Sequence, residues 1–491
     1  LFLSLAPLVA SGSEQRGAVV ILRAVATVNN ALLLSAIGAC GYGYVLSAGH
    51  NVSLTLDLRL LERMLLYGLS LGIMIPAVPT RILFPVLFVA MVLASHREGS
   101  APSRRFWVVC AVFVGFTAAG MLGGVLGMDP VRASITIPQQ FLFLIPYLTA
   151  LIVLYGVDSA HWGRAELEIP IRVSVWAAAF LGIEALLTFV PGRTQLFPGL
   201  DPSIHRDGMF MGALPQDVHV VARVAIIGMF GALYFAHRSG RRAYGLLAAT
   251  AGLALVATLL RAALLGAVAG LAIYVLLARY RSRKSRRSLA VSYVIGFMSR
   301  AAGLVATNTV LSRVTEVRGA AVFQTSVTNR FLHWARGVDV LLYSPVLGSG
   351  PELDQIFMGS SQVPLVVLSG SAVRLGVSQE FAASKVFRTD LNSEADERSY
   401  TAHSVWMEFL VHWGVAGAAG ILYLITGGVR VAVRTYKKGG QGAPGAIIAL
   451  AFSLSISVLM TSHFAAYWLF VAIFGLVGRV AGNHRAAEAI T

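Results

Sequence analysis

Apolar runs, separated by short polar or basic stretches, recur along almost the whole chain. A helix of about 20 apolar residues crosses a bilayer. By that measure the pattern predicts spans at 18–46, 58–77, 80–95, 106–128, 134–156, 171–191, 216–236, 243–260, 262–280, 289–311, 404–427, 445–462 and 463–479. The opening stretch "LFLSLAPLVA" is too short to span, which suggests a truncated N-terminus. Including it gives about 12 to 14 helices. The short alternating segments of a β-barrel are not found. One polar interruption, 312–402, is too long for a simple connection. Inside it "RFLHWARGVDVLL" has helical spacing, and "SPVLGSGPEL" is rich in turn formers. The pattern predicts an all-α polytopic membrane protein in three parts. Transmembrane helices fill 1–311, a partly helical cap fills 312–402, and further transmembrane helices fill 403–491.

Composition agrees. Hydrophobic residues make up 56% of the chain and charged residues 13%, against about 25% charged in a soluble domain. Mean hydropathy is +0.73. The formal charge of +16 could point to nucleic acid, but Lys and Arg also collect in cytoplasmic loops of membrane proteins. The strongest basic stretches are "HREGSAPSRR" (96–105), "HRSGRR" (237–242), "RYRSRKSRR" (279–287) and "RVAVRTYKK" (430–438). They alternate consistently with the spans, so no nucleic-acid partner is needed to explain them. The opposite side, a periplasm in a bacterium, then receives the 192–215 loop and the 312–402 insertion. Cys40 and Cys110 both lie in apolar runs and give neither a disulfide framework nor a metal cluster. There is no P-loop, no dinucleotide Gly fingerprint, no Asp-x-Asp pair and no metal-ligand spacing. The reading is chemistry without a nucleotide, a metal or another cofactor.

Few residues stand out as chemistry. Arg261 is the one charge in "ALVATLLRAALLGAVAG". It either marks a tight turn between two helices or faces a cavity to bind an anion, for which the guanidinium fork suits phosphate. Arg330, in "TNRFLHWARG", and Arg206, in "SIHRDGMF", each read alone as surface charges. With Arg261 they place several cations on the side opposite the basic loops. His403 precedes an uncharged run from Phe409 to Gly428. At a helix N-terminus the macrodipole disfavours the imidazolium, which leaves a neutral ring able to take a proton from a hydroxyl. The alternative is an interfacial polar residue or cap. His412, within the span, reads as a buried structural histidine. Glu184, in "LGIEALLTF", is an intramembrane carboxylate and so a candidate, with no partner legible in the sequence.

These residues resemble the O-antigen ligases, a family grouped with O-antigen polymerases and bacterial O-oligosaccharyltransferases. Its Arg-x-x-x-Leu pattern is matched by Arg261 to Leu265. Its His-[Asn/Ser/Gln]-nine residues-Gly-x-x-[Gly/Thr/Tyr] pattern is matched by His403, Ser404, Gly414 and Gly417. Between them, "NRFLHWARGVDVLLYSPVLGSG" looks like the family's Arg…Trp…Pro-hydrophobic-Leu-Gly-x-Gly run, with Arg330, Trp334, Pro345, Gly348 and Gly350. The similarity covers about 170–430. It departs at 206–222, where relatives commonly carry a Gly-x-Phe-x-(Asn/Asp)-Pro-like turn. The resemblance implies a glycosyltransferase of lipopolysaccharide biosynthesis in the bacterial inner membrane. Its donor would be a glycan on undecaprenyl pyrophosphate, and its acceptor a lipid A–core sugar hydroxyl at the periplasmic face. It also implies that Arg261, Arg330 and Arg206 hold the pyrophosphate while His403 is the base of an inverting transfer. A polymerase with the same donor, a protein oligosaccharyltransferase and a flippase are the alternatives.

Overall fold

A computed structural model of the chain describes residues 58–73, 80–125, 147–188, 209–215, 217–279, 404–437, 442–458 and 467–488, with isolated positions 334, 338, 341, 345, 346 and 348. The described residues form an all-helical membrane protein. The helices are α1 (Leu58–Leu71), α2 (Thr80–Arg97), α3 (Arg104–Val125), α4 (Tyr147–Asp158), α5 (Arg164–Thr188), α6 (Val218–Ser239), α7 (Ala243–Ala257), α8 (Arg261–Arg279), α9 (Val405–Lys437), α10 (Gly442–Ser457) and α11 (Tyr467–Glu488). Among them α5, α6 and α9 are long and apolar enough to cross a membrane. The expected spans 18–46 and 289–311 lie outside the described residues, as does nearly all of the 312–402 insertion. Within that insertion Trp334, Val338 and Leu341 are helical, in line with the spacing.

Small residues let the helices approach closely, which is how helices associate where lipid removes the hydrophobic drive. A Cβ on Gly228 or Gly231 of α6 would collide with Ala178 and Ile171 of α5. One on Gly182 of α5 would meet the Thr250 carbonyl of α7 at 2.0 Å. Gly266 and Gly270 form a G-x-x-x-G step in α8, and they press on Ala449, Ser453 and Ser457 of α10. As numbers rise along α8 they fall along α10, so these two helices are antiparallel; the α6 and α5 contacts have the same sense.

These contacts sort the helix ends into two sets. At one end, α1 begins beside the end of α2, where Arg59 pairs with Glu98 at 2.6 Å. There too α6 ends against the start of α5, through Arg238 and Glu168, and the end of α8 meets the start of α10, Leu277 against Gly445. The basic stretches at 96–105 and 237–242, the end of α8 at Arg279 and the end of α9 at 430–437 all adjoin this end. That consistency was expected from their alternation with the spans.

Two boundaries differ from the apolar pattern. Helix α5 starts at Arg164, not at 171, because its charges are answered by side chains of α1 and α6 packed against it. Glu166 pairs with Arg63 at 2.8 Å and accepts the Gly163 N–H at 3.0 Å. Glu168 accepts from Arg164 at 2.8 Å and from the Tyr234 hydroxyl. Beside them His161 lies between Glu62 and Glu98, each 2.9 Å from a ring nitrogen, and Trp162 Nε1 donates to Glu62. Helix α9 runs on to Lys437, since Arg430 and Arg434 sit where side chains can leave the apolar layer.

Candidate functional site

From Ser404 to Gly417 the stretch "SVWMEFLVHWGVAG" folds as half a helix and a break. Ser404 is buried, its carbonyl accepts the Glu408 N–H at 2.9 Å, and its hydroxyl lies 3.4 Å from the Met407 N–H. It therefore occupies the capping position favoured by a short hydroxyl residue. Glu408 follows in the first turn, where the helix dipole favours a carboxylate, and it is buried. Trp406 Nε1 donates to the Ser455 carbonyl of α10 at 3.0 Å. The inward face continues with Val411, His412 and Trp413. His412 is the structural histidine expected: buried, with Nδ1 3.1 Å from the Tyr147 hydroxyl of α4. Trp413 Nε1 donates to Thr117 of α3 at 3.2 Å, and its ring stands edge-on to Tyr147 at 4.3 Å.

At Gly414 the helix stops. Its φ of 49° and ψ of −127° are non-helical and suit glycine alone, because a Cβ is strained there. In an unbroken helix the Val415 N–H would bond to Val411; here it donates to the Pro345 carbonyl at 3.0 Å. The loop carrying Pro345, Val346 and Gly348 therefore enters the break. A Cβ on Gly414 would lie 2.5 Å from the Pro345 oxygen and 2.8 Å from the Gly348 nitrogen. Gly348 has a φ of 73°, and a Cβ there would lie 2.4 Å from the His412 oxygen. Gly417, one turn on, is pressed against the Phe409 carbonyl. Gly348, Gly414 and Gly417, the described glycines of the two patterns, are thus positions where backbone segments touch, and they lie in one interlocked unit.

A second helix start stands at the same end of the bundle. Helix α7 stops at Ala257; Leu259 takes a left-handed φ of 54°, and α8 opens on Arg261. The turn is steadied from outside: the Phe210 N–H donates to the Ala257 carbonyl at 3.0 Å. Phe210 belongs to the 209–215 loop, which enters the protein so deeply that Phe210 is fully buried. Gly212, at φ 69°, lets the loop turn against Leu181 and Pro215. The Ala213 N–H donates to Glu184 Oε1 at 2.7 Å. The intramembrane carboxylate therefore has a partner, one that no side-chain pattern could reveal. Gly266 packs on Ser457 and Trp406 reaches Ser455, so α8 and α9 both begin beside the last turns of α10.

Of the residues singled out in the sequence, Arg261 is described by its backbone, as the first residue of α8. Arg206, Arg330 and His403 lie outside the described residues. Their described neighbours in sequence are Phe210 in the buried loop, Trp334 in the helical stretch and Ser404 at the cap. Sequence reading passed over Glu408 and Tyr147. Glu408 could have been found as a carboxylate inside the quoted motif. Tyr147 is linked to the motif only by the fold.

No curated protein and no solved structure matches the chain. The family model described as O-antigen ligase matches residues 246–422, from the first turn of α7 to beyond the break at Gly414, so this part of the chain is similar to that family.

Proposed function

We propose that this membrane enzyme transfers a glycan from undecaprenyl pyrophosphate to a lipid A–core sugar hydroxyl, as an O-antigen ligase. The observation that carries the reading is the interlock of Gly414 with Pro345 and Gly348, reached through the half-helix whose start shares a bundle end with the start of α8 at Arg261. Described glycines of two family patterns thus make one physical unit, on a half-helix that begins at the same end as a helix start bearing a cation. The basic stretches adjoin the opposite end, which supports a cytoplasmic position for them and a periplasmic position for the site. The 312–402 insertion would cap it.

In this mechanism Arg261, Arg330 and Arg206 hold the pyrophosphate as charge builds on it. Removing one such preorganised donor costs about 2.7–4 kcal/mol in comparable electrostatic sites. His403 takes the proton of the acceptor hydroxyl, whose oxygen attacks the anomeric carbon from the face opposite the pyrophosphate. The carbon–oxygen bond to the diphosphate breaks, the electron pair leaves with the diphosphate, and the configuration inverts. The phosphate-linked sugar supplies the driving force.

The test is reconstitution of purified protein with lipid-linked donor and lipid A–core, without nucleotide. Transfer that is lost in His403→Ala, at unchanged membrane levels, supports the reading. Arg261→Lys and Arg330→Lys should rescue the alanine variants only in part, since an ammonium lacks the fork. Product chains formed only from two donor molecules would identify a polymerase. Movement of donor across vesicles without a new glycosidic bond would identify a flippase.

A further inference from the structure

The other end of the bundle holds a cationic cluster that this mechanism does not use. Glu168, buried on α5, is the shared partner of three guanidiniums. Arg164 Nε lies 2.8 Å from Oε1, Arg238 NH1 contacts Oε2, and Arg172 NH2 stands 3.8 Å from Oε2. The Tyr234 hydroxyl also donates to Oε1. Three positive charges on one negative leave the group at +2. Arg172 is the least engaged of the three. It is beyond hydrogen-bond reach of Glu168, its guanidinium rests 5.5 Å from the Phe235 ring, and its side chain is 49% exposed.

That exposure belongs to a stripe. Along α5, Arg172, Trp176, Phe180, Ile183 and Leu187 are the exposed positions of one face, Trp176 at 60%. The spacing of three and four residues puts them in line. From Trp176 to Leu187 the stripe runs about 16 Å, close to the hydrocarbon depth of one leaflet, about half of 30 Å. One turn before its aromatic start stands the half-exposed cation. A cation at that boundary needs a counter-anion at the same depth, and Glu168 is already shared. A zwitterionic headgroup brings its own ammonium and leaves the +2 unchanged; an anionic one lowers it to +1.

We propose that Arg172, backed by Arg164 and Arg238, binds the phosphate of an anionic phospholipid, whose acyl chain lies along Trp176, Phe180, Ile183 and Leu187. This places the lipid in the leaflet at the basic end, remote from α8 and α9 starts, and it is independent of the glycan chemistry.

The test uses full-length protein in nanodiscs containing brominated phosphatidylglycerol or brominated phosphatidylcholine. The chain has 7 tryptophans, so the quenching lost in Trp176→Phe isolates the signal of this site. The expected result is quenching at about fivefold lower mole fraction of the anionic lipid. Arg172→Gln abolishes that preference, and Arg172→Lys keeps part of it. Equal quenching by both lipids in the wild type, or a preference that survives Arg172→Gln, overturns the proposal. Loss of the preference on adding millimolar inorganic phosphate would make this a free-anion site and overturn it too. If Arg172→Gln does not reach the membrane, the wild-type comparison of the two lipids decides.

Discussion

Replacing Gly414 with alanine tests the central feature of the site directly. The residue sits at φ 49°, ψ −127°, where a Cβ strains the backbone. Holding a non-glycine residue in such a conformation costs about 1–3 kcal/mol. The new methyl would also lie 2.5 Å from the Pro345 oxygen, and 2.8 Å from both the Gly348 nitrogen and the Val346 oxygen. These are backbone atoms that cannot rotate away, and overpacking of this kind adds about 1–3 kcal/mol. The total is on the order of 4 kcal/mol. The chain can escape it only by straightening α9, returning the Val415 N–H to Val411 and expelling the 345–348 loop. Gly420 and Gly427 of the same helix supply the control, because a Cβ on either meets nothing within 4 Å. Alanine there gains about 0.5–1 kcal/mol of helix propensity. Thermal unfolding of the purified variants, with a cysteine pair joining 346 to 415 as a reporter of the interlock, separates the cases. Gly414→Ala should lower the midpoint, lose the cross-link and lose glycan transfer. A Gly414→Ala protein as stable, as cross-linkable and as active as Gly420→Ala would refute the reasoning.

Glu184→Ala should speed hydrogen exchange at the Ala213 amide and weaken transfer, whereas Glu184→Gln, which keeps an acceptor oxygen, should restore both. Equal loss in the two variants would show that the hydrogen bond is not what matters. Gly270→Leu should destabilise α8 against α10, because a Cβ already meets the Ser453 side chain at 2.8 Å and the Ala449 oxygen at 2.9 Å; chemical denaturation compared with Gly478→Ala, an open position, reads the difference. Tyr147→Phe removes the hydrogen bond to His412 and should cost about 1 kcal/mol of stability, measured by the same unfolding assay. At the basic end, the hydrogen bond from Arg59 holds the Glu98 carboxyl below its usual 4.5. A carboxyl with a depressed folded value adds stability above its ordinary value and loses it as the pH falls through the depressed one. Wild type should therefore lose its advantage over Arg59→Gln as the pH drops below about 4.5, followed by the unfolding midpoint.

Helix positions were legible because lipid and packed helices both demand apolar length, and most expected spans fall on helices. The start of α5 was hidden by Arg164, Glu166 and Glu168. Charges read as loop until their partners on α1 and α6 are known, and those partners are far away in sequence. The end of α9 was hidden for the opposite reason: Arg430 and Arg434 remain helical at the bundle's edge. In the site, a motif of residue types was visible, but its mechanical meaning was not. Nothing in the sequence says that the Gly414 gap is filled by the Pro345 carbonyl, since that acceptor belongs to the backbone. The same holds for Glu184, whose partner is the Ala213 N–H. Pattern reading compares side chains, so it misses bonds made to the main chain.

That distinction bears on why the glycines stand where they do. A helix broken inside a bilayer leaves amide groups that no water can satisfy. Here the 345–348 loop answers the Val415 N–H with a carbonyl. The break is therefore tolerable only while that loop is seated, and the loop can be seated only if the facing backbones carry no Cβ. Ser404, ten residues before Gly414, then caps a half-helix fixed at both ends, by Trp406 on α10 and by Trp413 on α3.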